Sequence, residues 1–312
     1  MTWHGSGTKY AGVSQLWAFV RLTRPLFLYG GFAGVALGTA VAAWSGRRLD
    51  LVTYAWVQAL VTVFHLMAHY SNEYFDRECD AGARQTAWSG GSGVLVAGDL
   101  PARVALIAAL VCAALGLAAS ARFALAGNAT VASIGAAIFV LAWCYSAPPV
   151  RFAARGLGEL DTAVIVAVLV PFAGYAAFAG RIDDPIVTAV LAPAAAMFAM
   201  MLCVELPDAA GDAVAGKRTL VVAWGPARAW QVTSSAVIVA GATALGTALR
   251  LHAGVALLAL APAALAAFQL VRRARGDPRP ATMAFWGVGF YAALVTGLAA
   301  LYALLAVAAG GG

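Results

Sequence analysis

L-V-T-Y-A-W-V-Q-A-L-V-T-V-F-H-L-M-A-H-Y-S, residues 51–71, runs straight into N-E-Y-F-D-R-E-C-D, residues 72–80. A membrane-spanning helix needs about 20 mostly apolar residues, and the first stretch meets that length with no Asp, Glu, Lys or Arg. The second then crowds Glu73, Asp76, Glu78 and Asp80 onto its end. A carboxylate within or against an apolar run is costly, so it marks a functional site by default.

Working outward, further apolar runs of similar length cover residues 26–44, 102–120, 124–145, 160–180, 185–204, 230–249, 254–271 and 281–307. With 62% hydrophobic and 11% charged residues, the composition excludes a soluble globular chain. The runs are continuous and Ala/Leu-rich rather than alternating, which excludes a β-barrel. The expected fold is an all-α membrane protein, about nine transmembrane helices around a central cavity, with cytoplasmic loops capping the site. Residues 1–25 read as an N-terminal cytoplasmic segment, 26–308 as one transmembrane domain and 309–312 as a tail. The first run follows a polar stretch and lacks a small-residue cleavage site, so it reads as a retained helix.

The formal charge of +6 does not point to nucleic acid. With nine spans the basic residues sort by side: Arg47, Arg48, Arg122, Arg181 and Arg250 fall on one, and nearly all the others on the opposite side. The positive-inside rule then puts the N-terminus and the acidic segment in the cytoplasm. The four cysteines have no metal or redox spacing and read as small buried apolar residues. No obligatory protein partner is evident. Gly34-x-x-x-Gly38 reads as a packing motif within the chain.

A second acidic segment, E-L-P-D-A-A-G-D, covers residues 205–212. It follows the sixth run as the first segment follows the second, and it lies on the same side. Asn72, Asp76 and Asp80 are spaced to stack on one helix face, and so are Glu205, Asp208 and Asp212. These hard oxygen donors suit Mg²⁺, which takes one or two carboxylates and completes its shell with water and phosphate. Two such faces across a cavity would hold two cations with a diphosphate between them. Lys217, Arg218, Arg77, Arg84 and Arg151 are the candidate direct contacts to that diphosphate. His65 and His69 extend the first stripe but have no third ligand for zinc. No P-loop sequence is present.

Several motifs in order resemble the UbiA superfamily of intramembrane prenyltransferases. They are Arg24-Pro25 at the first span, Asn72-x-x-x-Asp76-x-x-x-Asp80, Tyr145-Ser146-x-Pro148-Pro149, Asp208-x-x-x-Asp212 and G-K-R-T-L at residues 216–220. The resemblance extends over almost the whole chain. Within it, R-G-L-G-E-L (155–160), G-K-R-T-L and W-S-G-G-S-G-V-L (88–95) are most similar to the branch that prenylates 1,4-dihydroxy-2-naphthoate on the way to menaquinone. Glu73 stands where many members have Asp, and Glu205 where many have Asn or Asp.

The resemblance implies transfer of a prenyl group from an isoprenoid diphosphate to an aromatic acceptor in the lipid bilayer, in a bacterial plasma membrane. Asp76, Asp80, Asp208 and Asp212 would hold Mg²⁺, with Asn72 and Glu205 as further ligands. Lys217 and Arg218, with Arg24, Arg77, Arg84 and Arg151, would bind the substrate. Tyr145, Glu159 and Asp161 are candidates for removing a proton, and aromatic rings near the acids would shield a developing cation. The alternatives are another acceptor, such as 4-hydroxybenzoate or a glyceryl phosphate, and a cation-coupled transporter. Against the transporter stand the absence of a broken helix and of charged residues in the middle of the other spans.

Overall fold

The computed structural model describes residues 7–81, 91–276 and 279–310. Among these there is no strand, and nine segments are long and apolar enough to cross a membrane. Helix α1 (Gly7–Thr23) leads through a short 3₁₀ turn, Pro25–Leu28, into α2 (Tyr29–Trp44). Then come α3 (Leu51–Asp80), α4 (Ala102–Leu125) and α5 (Ala129–Ser146). A 3₁₀ turn at Phe152–Ala154 precedes α6 (Gly158–Val164), and a π-helical turn, Ile165–Leu169, joins α6 to α7 (Val170–Ala179). The remainder is α8 (Asp184–Glu205), two short helices α9 (Ala209–Val214) and α10 (Leu220–Trp224), α11 (Pro226–Arg250), α12 (Ala261–Gly276) and α13 (Pro280–Gly310).

Side-chain caps fix several of these starts. Asp50 accepts the Thr53 N–H at 2.8 Å to begin α3, Asn128 accepts from Val131 at the start of α5, and Thr219 accepts from Val222 at α10. Helix α3 has 30 residues, about 45 Å at 1.5 Å per residue, against a hydrocarbon core of about 30 Å. The helix is thus longer than the core is thick, and about its last two and a half turns carry Asn72, Asp76 and Asp80.

Two hydrophobic cores hold the bundle. One joins α2, α7, α8, α11, α12 and α13 around Leu37, Tyr175, Met197 and Phe290. The other joins α1, α3, α4 and α5 around Leu22, Leu60, Phe64 and Ile138. Helices α2 and α7 contribute to both, through Leu37 and Val35 on α2 and through Tyr175 and Ala173 on α7. They can serve both because they touch backbone to backbone. A Cβ on Gly38 would collide with the Pro171 carbonyl, and one on Gly174 would come within 2.7 Å of the Val35 carbonyl. The Gly34-x-x-x-Gly38 motif thus packs against α7 of its own chain.

At the far end from the acidic segments, Asp183 ties three elements together. It accepts from Arg181 (2.6 Å), Tyr175 (3.1 Å) and Arg47 (3.4 Å). The Arg181 hydrogen bond, with Tyr175 and the Arg47 charge, holds its carboxyl below the usual aspartate value, although burial pushes the other way.

One sequence expectation is corrected here. Glu205, Asp208 and Asp212 do not share one helix: α8 ends at Glu205 and α9 begins at Ala209. Pro207 between them has no N–H and crowds the preceding carbonyls, which stops a helix. The fifth span, Gly158–Ala179, runs without a break but contains a π turn before Pro171. The extra residue per turn lets the chain absorb a proline inside a span.

Candidate active site

The ends of α3, α5 and α8, the start of α6 and the loops around α9 and α10 enclose a cavity of about 320 Å³. Asn72, Asp76, Asp80, Glu205, Asp208 and Asp212 all line it. The break at Pro207 does not scatter the second segment, because Asp208 N–H bonds the Glu205 carbonyl (3.1 Å) and Asp212 N–H bonds the Asp208 carbonyl (2.9 Å). The turn keeps all three acids on the cavity side.

Asp76 is the hub. It is 4% exposed. It accepts the Asn72 amide at 2.8 Å and the Lys217 ammonium at 3.2 Å, and Arg151 stands 3.9 Å away. Asn72 also donates to Ser146 at 2.9 Å, which pins the end of α5 to α3. Lys217 reaches Asp212 at 3.8 Å. Burial alone would depress the Lys217 ammonium, but Asp76, Asp212 and Asp80 outweigh it and raise it above the usual lysine value. Burial pushes the Asp212 carboxyl up, while Lys217 pulls it back only in part. The Lys217 shift thus comes from the surrounding carboxylates, and the Asp212 shift first from burial.

The wall of the cavity carries six carboxylates (Asp76, Asp80, Asp161, Glu205, Asp208, Asp212) against two cationic side chains, Arg24 and Lys217. Among the described residues no three His, Cys, Asp or Glu side chains converge to hold a metal unaided. The donors are hard oxygens, they are in excess, and Glu205 keeps a buried Oε2 without a hydrogen-bond partner. This set fits Mg²⁺, which binds through one or two carboxylates and takes its other ligands from water and substrate oxygens.

The basic residues divide. Arg24 lines the cavity, with its guanidinium 4.3 Å from the Phe27 ring centre. Arg151 pairs with Asp76. Both have φ of +50°, a left-handed conformation that costs a non-glycine residue about 1–2 kcal/mol, and each leads into one of the 3₁₀ turns. Arg218 is exposed and does not line the cavity; its backbone N–H bonds the Ala154 carbonyl. Arg77 also turns away, lying over the Tyr74 ring and bonding the Tyr74 carbonyl and Glu78. Arg84 lies outside the described residues.

Glu73, next to Asn72, has a role that the sequence did not disclose. It is buried, and its carboxylate accepts both the N–H (2.5 Å) and the hydroxyl (2.8 Å) of Ser92. This clamp holds Gly91 against the acids. Gly91 has φ of +67°, and a Cβ there would come within 2.5 Å of Asp80. Glu159 makes a comparable tie, accepting the Leu220 N–H and joining the 155–160 segment to the 216–220 segment. Tyr145 lines the cavity within the fields of Glu205, Asp76, Glu159 and Asp161. His65 and His69 line the deeper wall, with rings 4.8 Å apart. His69 Nδ1 donates to the Thr23 carbonyl at 2.9 Å.

Away from the acids the wall turns apolar, with Phe64, Ile138, Val166, Met197, Met201 and Val288. Leu26, 74% exposed, and Tyr29 border the cavity and the outer surface together. Tyr29 hydrogen-bonds Thr296 on α13 at that edge.

The sequence pattern of the UbiA prenyltransferase family matches residues 32–294. No curated protein matches the chain. Among solved structures the chain is similar to a digeranylgeranylglyceryl phosphate synthase in membranes, at 16% identity and a TM-score of 0.66, over 94% of this chain and 99% of that one. It is similar to a UbiA homologue from Aeropyrum pernix K1, at 16% identity and a TM-score of 0.68, over 90% and 98%. A UbiA homologue from Archaeoglobus fulgidus bound to GPP and Mg²⁺ gives 17% identity and a TM-score of 0.59, over 93% and 97%. At these identities the likeness concerns the fold. With nine membrane-spanning segments and a family match over most of its length, the chain belongs to the UbiA prenyltransferase family and is an integral membrane prenyltransferase.

Proposed function

We propose that this prenyltransferase moves the prenyl group of an isoprenoid diphosphate onto 1,4-dihydroxy-2-naphthoate, the step that gives menaquinone its side chain. The observation that carries the donor half is the placement of Asp76 and Asp80 in one cavity with Glu205, Asp208 and Asp212, with Lys217 among them. Asp76, Asp80, Asp208 and Asp212 would hold two Mg²⁺ ions, with Asn72 and Glu205 as further ligands. Bound there, Mg²⁺ supplies Lewis-acid and electrostatic neutralisation of the departing diphosphate.

Lys217 adds a fixed positive charge where negative charge builds on the leaving group, and it costs no reorganisation because the acids already hold it in place. Arg24 and Arg151 supply the next nearest cations. The apolar wall from Phe64 to Val288 receives the isoprenoid and keeps water from the reacting carbon. Tyr145 offers an aromatic face toward the developing allylic cation.

The naphthoate acceptor is supported by the segments 155–160 and 216–220, which resemble that branch and which Glu159 and Leu220 tie together beside the cavity. The fold likeness to a digeranylgeranylglyceryl phosphate synthase favours a second reading, with a glyceryl phosphate as acceptor. The basic-residue distribution supports a cytoplasmic site in a bacterial plasma membrane, with residues 26–308 as one catalytic domain.

The test uses membranes carrying the chain, supplied with Mg²⁺, a prenyl diphosphate and either acceptor, with product read by mass spectrometry. Prenylated naphthoate that requires Mg²⁺ and disappears in Asp76→Ala and Asp208→Ala is the expected result. Product with glyceryl phosphate alone overturns the naphthoate reading.

A further inference from the structure

Asp161 stands in the first turn of α6 and is 7% exposed. Both of its carboxylate oxygens are buried without a hydrogen-bond partner, yet the residue lines the cavity. A buried charged group left unsatisfied costs several kcal/mol. Glu159, two residues earlier, repays part of that cost by holding the Leu220 N–H. Among the described residues no such tie accounts for Asp161. A second, independent feature marks the same place: the π turn Ile165–Leu169 follows within one helical turn, and its Ile165 and Val166 also face the cavity. Turns of this kind recur at functional sites.

The partner of a carboxylate is a hydrogen-bond donor or a cation, and the Mg²⁺ proposed above is assigned to the two acidic segments. The nearby cations are already engaged: Lys217 and Arg151 with Asp76, and Arg24 over Phe27. A diphosphate carries the same sign of charge as Asp161 and is repelled. What remains is a hydroxyl on the second substrate. Tyr145 lies in the fields of both Asp76 and Asp161, which puts such a hydroxyl on the same stretch of wall as the leaving group.

We propose that Asp161 is a catalytic residue that accepts a hydrogen bond from a ring hydroxyl of the acceptor and takes its proton as the new bond forms; this rests on the aromatic-acceptor reading above. The bond from prenyl C1 to diphosphate oxygen breaks, and its electron pair leaves with the diphosphate. A ring π pair forms the C1–carbon bond. The O–H pair becomes the second bond of a ring ketone, and the hydroxyl proton passes to Asp161. The ring regains aromaticity when the attacked carbon releases a proton to the departed diphosphate, or releases CO₂ if it bears the carboxylate. The electrons so freed return to oxygen, which recovers its proton from Asp161. The residue ends each turnover as it began.

The experiment compares the full-length wild type with Asp161→Asn, which keeps size and polarity, and Asp161→Glu, which keeps basicity. Binding of a geranyl thiolodiphosphate with Mg²⁺ reports an intact donor site, and it should match wild type in both. With 1,4-dihydroxy-2-naphthoate, kcat of the Asn variant should fall about 10²–10⁴-fold, the usual contribution of a positioned general base. The Glu variant should recover part of it. Along a series of acceptors with increasingly acidic ring hydroxyls, the gap between wild type and the Asn variant should narrow, because an acidic hydroxyl needs less help. An Asn variant at wild-type rate, a loss equal across the series, or lost donor binding each overturns the inference while leaving the function standing. A wild type that binds the donor but prenylates no hydroxylated ring overturns the aromatic reading and the inference together.

Discussion

Lys217 and Asp76, 141 residues apart in sequence, meet at 3.2 Å on the wall of the cavity. The pair is well buried on both sides, and it joins the loop after α9 to the end of α3. Removing one partner of a buried pair leaves the other uncompensated, at a cost of about 3–5 kcal/mol. Lys217→Ala should therefore lower thermal stability in detergent and cut kcat by about 10²–10³-fold through lost stabilisation of the leaving group. Asp76→Asn should lower activity as well. The double variant should lose less than the two single effects combined, as expected for residues in contact; strict additivity in a double-mutant cycle would refute the coupling.

The Glu73–Ser92 clamp predicts a graded series. Ser92→Ala removes the hydroxyl bond but keeps the backbone N–H bond, whereas Glu73→Ala removes both. Hydrogen bonds to a charged group are worth about 1.5–3 kcal/mol each. Activity should fall in the order wild type, Ser92→Ala, Glu73→Ala, with the last reduced at least tenfold. Gly91→Ala should be as damaging, because its Cβ would crowd Asp80 and its φ of +67° suits glycine. Steady-state rates on the four proteins check this, and an unimpaired Gly91→Ala would contradict it.

Gly38 sets the spacing of α2 and α7. Gly38→Ala should force the helices apart and destabilise the protein by about 1–3 kcal/mol or more, with activity falling because both cores share these helices. Gly241→Ala on α11 meets nothing within 4 Å and should leave the midpoint of unfolding unchanged or slightly raised. Thermal unfolding of the two variants side by side separates close packing from a general intolerance of alanine.

Asp183 gives a dependence on pH. Its folded-state value lies below the usual aspartate pKa, so its stabilising effect is complete above the unfolded value, about 3.9, and is lost as pH falls through the lower folded value. The difference in unfolding midpoint between wild type and Asp183→Asn should be constant above about pH 5 and shrink below about pH 4. A difference that grows on acidification would reverse the sign and rule out the Arg181–Tyr175–Arg47 network as its source.

The helices were legible from composition and run length because a bilayer admits few ways to satisfy a backbone. The first acidic motif was legible because it lies on one unbroken helix, so spacing alone sets its face. Around residues 205–220 helical spacing no longer applied. Pro207 ended the helix, and residues 217–219 lie outside any helix, so helical spacing does not set where their side chains point. Lys217 and Thr219 line the cavity, while Arg218 between them is exposed. Sequence reasoning paired Lys217 with Arg218 because it saw only their adjacency. The clamp from Glu73 to Ser92 had no signal in spacing, since a loop's path back to its helix is set by tertiary contacts. Asp161 was readable as a candidate base, but only the fold shows that none of the described residues hydrogen-bonds its carboxylate.

The partners of Asp76 also arrive on a timetable. At about 5–20 residues per second, the ribosome finishes α3 on the order of ten seconds before it makes Lys217, with Arg151 added partway. Through that interval the nascent first half has an acidic helix end whose principal counter-charge does not yet exist. Asp76 therefore meets its principal counter-charge only after residue 217 is made, and a chain cut short before that point would keep Arg151 alone, at 3.9 Å.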